Sequence, residues 1–411
     1  MEEKLETIII GGGQAGLSLS YFLSKKGHEH IILEKAERAG EAWRNHRWDS
    51  FNLLTPNWSF LLPGAEYQDN HPDAFMAKNE IVKRFEDYTG EYHLPVKYST
   101  NVSLVEAAAD EKHYLVHTGE QVYLARNVVI ATGLFQKGKI PGNFSHIPAS
   151  ILQLESGQYR NPQALPPGTV LVVGSAQSGC QIAEELNQAG RKVYLSTGSA
   201  GRFPRRYRGK DGMYWATQIG FFDRTPDKLP SPRARFAGNP HLSGKDGGHA
   251  INLHQFYRDG IQLLGHLHGF EDGKLTYAPD LKDNLTRADM IEANFFKLFD
   301  AYIERERIDA PQEDLKQLQL NDGFNAPDIL FLDIKKENIS VIIWACGFSF
   351  DFSFVKFPVL DEFGYPVTTR GMTQYPGLDF LGLPWLYKFK SGLLMGVAED
   401  AAYLADQITR R

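Results

Sequence analysis

Cysteine is the scarcest reactive residue in this chain: two among 411 residues, Cys180 and Cys346, far apart and in no C-x-x-C pair. That excludes an electron relay through neighbouring thiols and a cysteine-based zinc site. Both lie in apolar or helix-start contexts, where buried, inert thiols are expected. Long apolar runs are also missing. The longest are strand-length, well short of a membrane span. The start, Met1-Glu2-Glu3-Lys4-Leu5-Glu6, has neither the basic region nor the long apolar region of a secretion signal. A cytoplasmic protein is therefore expected. There is no excess of positive charge; the net charge is −6. Neither a nucleic acid nor an anionic membrane is an expected partner. No low-complexity tract occurs.

What is present is ordinary globular composition, with 42% hydrophobic and 23% charged residues, in a chain long enough for two domains. Thr7-Ile8-Ile9-Ile10 reads as a strand, followed by Gly11-Gly12-Gly13-Gln14-Ala15-Gly16 and a helix to about Lys26. Gly27 ends the helix, and His30-Ile31-Ile32-Leu33-Glu34 makes the next strand. The same order returns later. Val170 to Val173 is a strand, Gly174-Ser175-Ala176-Gln177-Ser178-Gly179 a turn, a helix runs to Ala189, and Lys192 to Leu195 is a strand. Each copy has a later strand ending in a small-x-Gly turn: Ala131-Thr132-Gly133 for the first, Ala345-Cys346-Gly347 for the second. Two βαβ beginnings imply an α/β fold of two Rossmann-like dinucleotide-binding domains. The spacing assigns residues 1–165 and 335–411 to one domain and inserts residues 166–334 as the other. Short strands are expected over 96–131, a loop over about 136–168, and helices over about 288–306 and 392–409.

In the first loop, Gly11 permits a tight turn, Gly13 lets the backbone approach a pyrophosphate, and Gly16 lets helix and strand pack closely. Gln14 and Ala15 open a helix whose free N–H groups favour phosphate. Glu34, at the end of the second strand, can accept hydrogen bonds from a ribose diol. This is the pattern of an FAD site, and Lys35, Val102, Ala131, Thr132 and Gly133 are added as cofactor-side candidates. In the second loop Ala176 takes the middle position between Gly174 and Gly179, with Gln177 and Ser178 opening the helix. Twenty-three positions separate Gly11 from Glu34, and the same step from Gly174 reaches Thr197. A hydroxyl there does not repel a 2′-phosphate. The basic run that follows, with Arg202, Arg205 and Arg206, is the arrangement expected for NADPH. His266 and His268 alternate on an expected strand, but nothing supplies a third ligand, so no metal is expected.

These residues resemble the flavin-containing monooxygenase-like family, a branch of the class B flavoprotein monooxygenases. The likeness rests on Gly11 to Gly16, Glu34, Gly40-Glu41-Ala42-Trp43-Arg44, Ala131-Thr132-Gly133, Gly174 to Gly179 and Ala345-Cys346-Gly347. A bacterial subgroup of flavin-dependent oxidoreductases shares further stretches, including Arg47-Trp48-Asp49-Ser50-Phe51, Thr55-Pro56-Asn57-Trp58 and Gly382-Leu383-Pro384-Trp385. The resemblance implies an enzyme whose FAD is reduced by NADPH and then reacts with O2. The resulting C4a-(hydro)peroxyflavin would oxygenate an N, S or carbonyl centre of a small organic substrate. A reductase or oxidase passing electrons to a quinone or to O2, without oxygenation, is the alternative. Two stretches depart from the family. Its fingerprint F-x-G-x-x-x-H-x-x-x-Y/F falls on Ala149 to Tyr159, where only Tyr159 is kept and Glu155 stands at the histidine. A Thr-Asn step near the flavin reads Thr55-Pro56-Asn57, which makes Asn57 the candidate catalytic amide. Trp43 and Trp48 follow the acid-bearing strand directly and are cofactor-site candidates. A homodimer is left open by the sequence.

Overall fold

The computed structural model describes residues 3–119, 121–144 and 146–411. Met1 and Glu2, where the N-terminal reading began, lie outside these residues. In the first domain, β1 (Glu3–Ile10) leads through α1 (Gln14–Lys25) to β2 (His30–Leu33). Next come α2 (Glu41–Arg44), α3 (Lys78–Glu91), β3 (Val96–Lys97), β4 (Val102–Ala107), β5 (Tyr114–Thr118) and β6 (Val122–Ile130). Among the described residues these strands form a sheet in the order β3-β2-β1-β6-β5-β4, and the late strand Leu378–Phe380 also pairs with β6. β1 is parallel to β2 and β6, while β5 runs antiparallel to both β4 and β6. β6 is shared along its length: its first half pairs with β5 and its last three residues with Leu378–Phe380.

The apolar run of β1 is buried on both faces, as a central parallel strand requires. Successive side chains serve opposite layers. Ile9, Ile32 and Val129 pack with Leu17 and Leu19 of α1 and with Ala401 and Leu404 of the C-terminal helix Val397–Ile408. Ile8, Ile10, Val128 and Ile130 face the other layer with Val116, Phe352 and Phe380.

The connection to the second domain passes through β7 (Lys137–Gly138) and β8 (Leu152–Glu155) before β9 (Thr169–Val173), α4 (Gln177–Gln188) and β10 (Val193–Ser196). The second sheet is wholly parallel, in the order Gln262–Leu264, β10, β9, Ile339–Trp344, β8. Alternation repeats the first design. Val170, Val172 and Ile343 face Ile182 and Leu186 of α4, whereas Leu171, Tyr194 and Trp344 face Leu267, Leu275 and Tyr277 of a small antiparallel sheet.

This topology corrects the expected boundaries at 165 and 335. Leu152–Glu155 and Ile339–Trp344 were expected in the first domain, and both are strands of the second sheet. The inserted unit therefore runs from about residue 150 to about residue 345. The chain enters through β7 and returns through Phe348–Ser349, and these two crossings pair antiparallel with each other. The long helix runs Leu281–Glu306, seven residues earlier than expected from Ala288, because Leu281 and Leu285 continue its buried stripe. The last helix starts only at Val397; Phe389–Gly392 is a separate 3-10 turn.

Candidate functional site

The first loop is shaped by contacts that leave no room for side chains. Gly11 has φ +109°, and a Cβ on it would stand 2.7 Å from Ala131 O. A Cβ on Gly16 would stand 2.0 Å from Gly11 O. Gly13 differs: its backbone (φ −81°, ψ −172°) suits any residue, and nothing lies within 4 Å of where its Cβ would be. Its lack of a side chain therefore preserves open space in front of the helix. α1 begins there with no capping side chain and no acid in its first turn, so its N–H groups remain free for an anion.

Glu34 ends β2 beside this cradle. Its Oε2 accepts from Gly12 N at 2.5 Å and its Oε1 from Ala36 N at 2.8 Å. Lys35 beside it is exposed. Thr100 N donates to Glu34 O at 2.9 Å, which brings half-buried Val102, two residues on, towards the same end of β2. Thr132 Oγ1 and Gly133 O both accept from Gln136 Nε2, at 3.2 and 2.9 Å. The C-terminal segment closes on the loop from behind. Gln14 Nε2 donates to Gly392 O at 2.8 Å, and a Cβ on Gly382 would meet Ala15 Cβ at 2.3 Å. Gly382 was noted in the sequence only for its likeness to relatives; a glycine aligned with a loop alanine is the signal that would have found it.

Asn57 is buried. Its Nδ2 donates to His71 O at 3.0 Å, and its Oδ1 has no hydrogen-bond partner, an acceptor left for a ligand N–H. Trp48 is buried edge-on against Phe51, with centroids 5.2 Å apart, and Trp43 packs half-buried against the same ring at 5.9 Å. Trp48 is thus core packing; Trp43 keeps an accessible face.

The second loop repeats the backbone of the first. Gly174 has φ +104° and would place a Cβ 2.5 Å from Ala345 O; a Cβ on Gly179 would stand 1.8 Å from Gly174 O. Ala176 adopts φ −83°, ψ −168°, nearly the angles of Gly13. Gln177 ties the loop to the segment after it: its Nε2 donates to Pro240 O at 2.8 Å and its Oε1 accepts from Leu242 N at 2.9 Å. Ser178, next in the first turn of α4, is half-buried. His241, between these contacts, is fully buried, and neither ring nitrogen has a hydrogen-bond partner. Burial pushes its imidazole down to about 4, with the charge of Arg202 acting in the same direction.

Here the structure corrects the residues expected at the 2′-phosphate. Thr197 is buried and faces inward: its Oγ1 donates to Leu264 O at 2.7 Å and lies 3.2 Å from Asn284 Nδ2. Arg202 is buried with Nη2 2.6 Å from Glu292 and 2.9 Å from Asp289. Arg205 is buried with Nη1 3.2 Å from Asp211, and its Nη2 donates to Leu54 O at 2.6 Å, across to the first domain. Two of the three arginines expected to grip a 2′-phosphate are therefore internal ion pairs. Arg206 alone of the three is exposed; its Nη1 lies 3.5 Å from the same Asp211 and its Nη2 donates to Gly247 O at 3.2 Å. The acids that occupy Arg202 lie almost ninety residues later on the long helix, beyond what spacing near β10 can reveal.

Neither thiol is activated. Burial raises Cys180 far above its ordinary value and Cys346 to about 11. A shallow hollow lined by Pro162, Leu165, Pro167 and Arg191 includes no residue of either loop.

The family model for pyridine nucleotide-disulphide oxidoreductases matches residues 8–211, a span containing both loops. An uncharacterised CzcO-like oxidoreductase of Geobacillus kaustophilus is 32% identical over 410 residues, covering 99% of each chain. The chain belongs to the CzcO-like oxidoreductases. Solved structures agree with this CzcO-like chain in fold. A flavin-containing monooxygenase from Stenotrophomonas maltophilia superposes with TM-score 0.66 at 20% identity, covering 99% of both chains. OTEMO in complex with FAD and NADP gives 0.56 at 16% identity, covering 99% of this chain and 85% of that one. Among the described residues no helix is long and apolar enough to cross a membrane.

Proposed function

We propose that this CzcO-like chain is a cytoplasmic FAD monooxygenase reduced by NADPH, oxygenating a small organic molecule at an N, S or carbonyl centre. The observation that carries the reading is the pair of loops. Each opens a helix with unpaired N–H groups, and each is closed by a late strand whose carbonyl abuts its first glycine. FAD fits the first loop, where the space before Gly13 accepts a pyrophosphate and Glu34 accepts from a ribose. Asn57 Oδ1 is an unused acceptor for a flavin N–H. The nicotinamide coenzyme fits the second loop, which has no carboxylate at the β10 end, and exposed Arg206 is the remaining member of the basic run for a 2′-phosphate.

Bound FAD, once reduced, supplies the electrons that activate O2. The residues of this chain hold and orient. Gln14 and Gln177 lock each helix start to the segment packed on it. Ser50 and Tyr159 both donate to Glu185, at 2.5 and 2.7 Å, and the Ser50 bond joins α4 to the first domain. Ligands of open parallel sheets bind outside the carboxyl ends of the strands.

The test is anaerobic mixing of the FAD-loaded protein with NADPH or NADH, following loss of the oxidised flavin band. NADPH should be the faster reductant, and Arg206→Ala should narrow the difference, whereas Arg205→Ala should not shift the ratio. Equal rates with both coenzymes overturn the NADPH assignment. A colourless protein that cannot take up FAD overturns the whole reading. Stoichiometric peroxide, with no oxygenated product from any N, S or carbonyl compound tried, assigns an oxidase instead.

A further inference from the structure

Arg47 lies three residues beyond α2 and differs from the other arginines near it. Arg44 pairs with Glu86 at 2.6 Å, and Arg160 is spent on the backbone carbonyls of Gly157, Tyr159 and Asn45. Arg47 donates only from Nη1, to His46 O at 2.7 Å. Among the described residues no carboxylate offsets its charge. Its guanidinium stands between two aromatic faces, 5.4 Å from the Trp43 centroid and 5.6 Å from that of Phe51. The side chain is half-exposed, yet the surrounding protein pushes it down to about 10, so it stays charged at neutral pH.

The backbone fixes where Arg47 stands. Asp49 N donates to Arg160 O at 2.8 Å, Arg160 Nη2 donates to Asn45 O at 2.6 Å, and His46 Nδ1 lies within 3.8 Å of a Cβ built on Gly157. Residues 45–49 are therefore seated on residues 157–160, just past the carboxyl end of β8. They also follow, by way of α2, the carboxyl end of β2. Arg47 thus stands in the segment that links the carboxyl ends of β2 and β8. A planar fork of N–H donors with one bond used, flanked by apolar walls and lacking a counter-ion, matches an anion carried on an apolar body. Nucleotide phosphates already have two helix starts and two glycine loops to receive them. A carboxylate is planar and accepts two parallel N–H bonds, which is the fork that Arg47 offers.

We infer that Arg47 anchors the carboxylate of the organic substrate, with Trp43 and Phe51 as walls for its apolar part. This rests on the monooxygenase reading and narrows its substrate to organic acids. The experiment titrates the FAD-loaded protein with benzoate, phenylacetate and 3-phenylpropionate, each beside its amide, following tryptophan fluorescence and the flavin difference spectrum. At least one acid should saturate, with its amide at least tenfold weaker. Arg47→Gln should weaken that acid at least tenfold and Arg47→Lys less, both with wild-type FAD content. No saturation by any acid, equal binding of acid and amide, or undiminished binding by Arg47→Gln overturns the inference. Loss of FAD from both variants also overturns it, because the anion is then a nucleotide phosphate. Should Arg47→Gln not fold, the acid–amide difference and Arg47→Lys still decide. NADPH reduction of the wild type, measured on the same samples, separates failure of the acid site from failure of the monooxygenase reading.

Discussion

The two loops share a backbone and differ in what stands around it. Gly13 and Ala176 adopt almost the same extended angles, so conformation does not explain why one is glycine and the other alanine. Space does: the first loop leaves its approach bare, and the second narrows it by a methyl group. Beside the first stands Glu34, a carboxylate bonded to two backbone N–H groups. Beside the second stand an inward-facing threonine and an imidazole without partners. A bare loop with a fixed acid suits a dinucleotide held closely for many turnovers. A methylated loop with no acid suits one that must leave.

The comparison breaks hardest where the loops are alike. Gly16→Val and Gly179→Val each drive a side chain into a backbone carbonyl closer than contact allows. Each should cost about 4 kcal/mol or more, read as loss of soluble protein or a collapsed urea midpoint. Near-wild-type midpoints would mean that the loops open without penalty.

The next largest effect belongs to the second loop. The imidazole of His241 is pushed from 6.5 to about 4 by burial. The unfolded chain therefore takes up a proton below pH 6.5 that the folded chain refuses until about pH 4. Stability from this group is complete above that window, falls through it as pH falls, and is constant again below it. The full loss is about 3 kcal/mol. His241→Phe removes the titration without orphaning a partner, so urea melts at several pH values should show a shallower acid limb than wild type. Parallel limbs would sink the buried neutral imidazole.

Gly13→Ala turns the first loop into the second. The apoprotein should melt as wild type, because the angles suit alanine, while FAD affinity falls about tenfold, or about 1.4 kcal/mol. Unchanged FAD affinity would mean that the open space is not the pyrophosphate site. Ala176→Gly makes the reverse change and should do least, lowering the melting midpoint by the equivalent of about 0.5 kcal/mol through chain entropy, with FAD content unaltered. A loss of FAD there would show that the loops are not independent.

These contrasts divide what spacing can reveal from what it cannot. The glycine steps, the strand–turn–helix order and the late small-x-Gly turns are local, and each is found where the spacing predicts. Whether Thr197 faces outward depends on Asn284 and Leu264, and whether Arg202 is free depends on Asp289 and Glu292, all far along the chain. The strand Leu152–Glu155 escaped notice because it is short and alternating at a sheet edge, within a segment rich in proline and glycine. The boundary at 335 failed for a related reason: Ile339–Trp344 reads equally well as a strand of either sheet until its neighbours are known. Arg47 carried a visible signal, a cation among aromatics at 43, 48 and 51, but its want of a counter-ion is a fact of three dimensions.

The paired crossings Lys137–Gly138 and Phe348–Ser349 place the two ends of the inserted unit side by side, one ladder step apart. An insert with adjacent ends asks no more of its host than a hairpin turn does, since the host strands keep their spacing whatever hangs beyond. The two hundred or so residues between those crossings could be exchanged as a cassette, for a unit of different coenzyme choice or for a short turn, with the host sheet left intact. In that sense the second half of the molecule is a loop of the first, grown large enough to carry a sheet of its own.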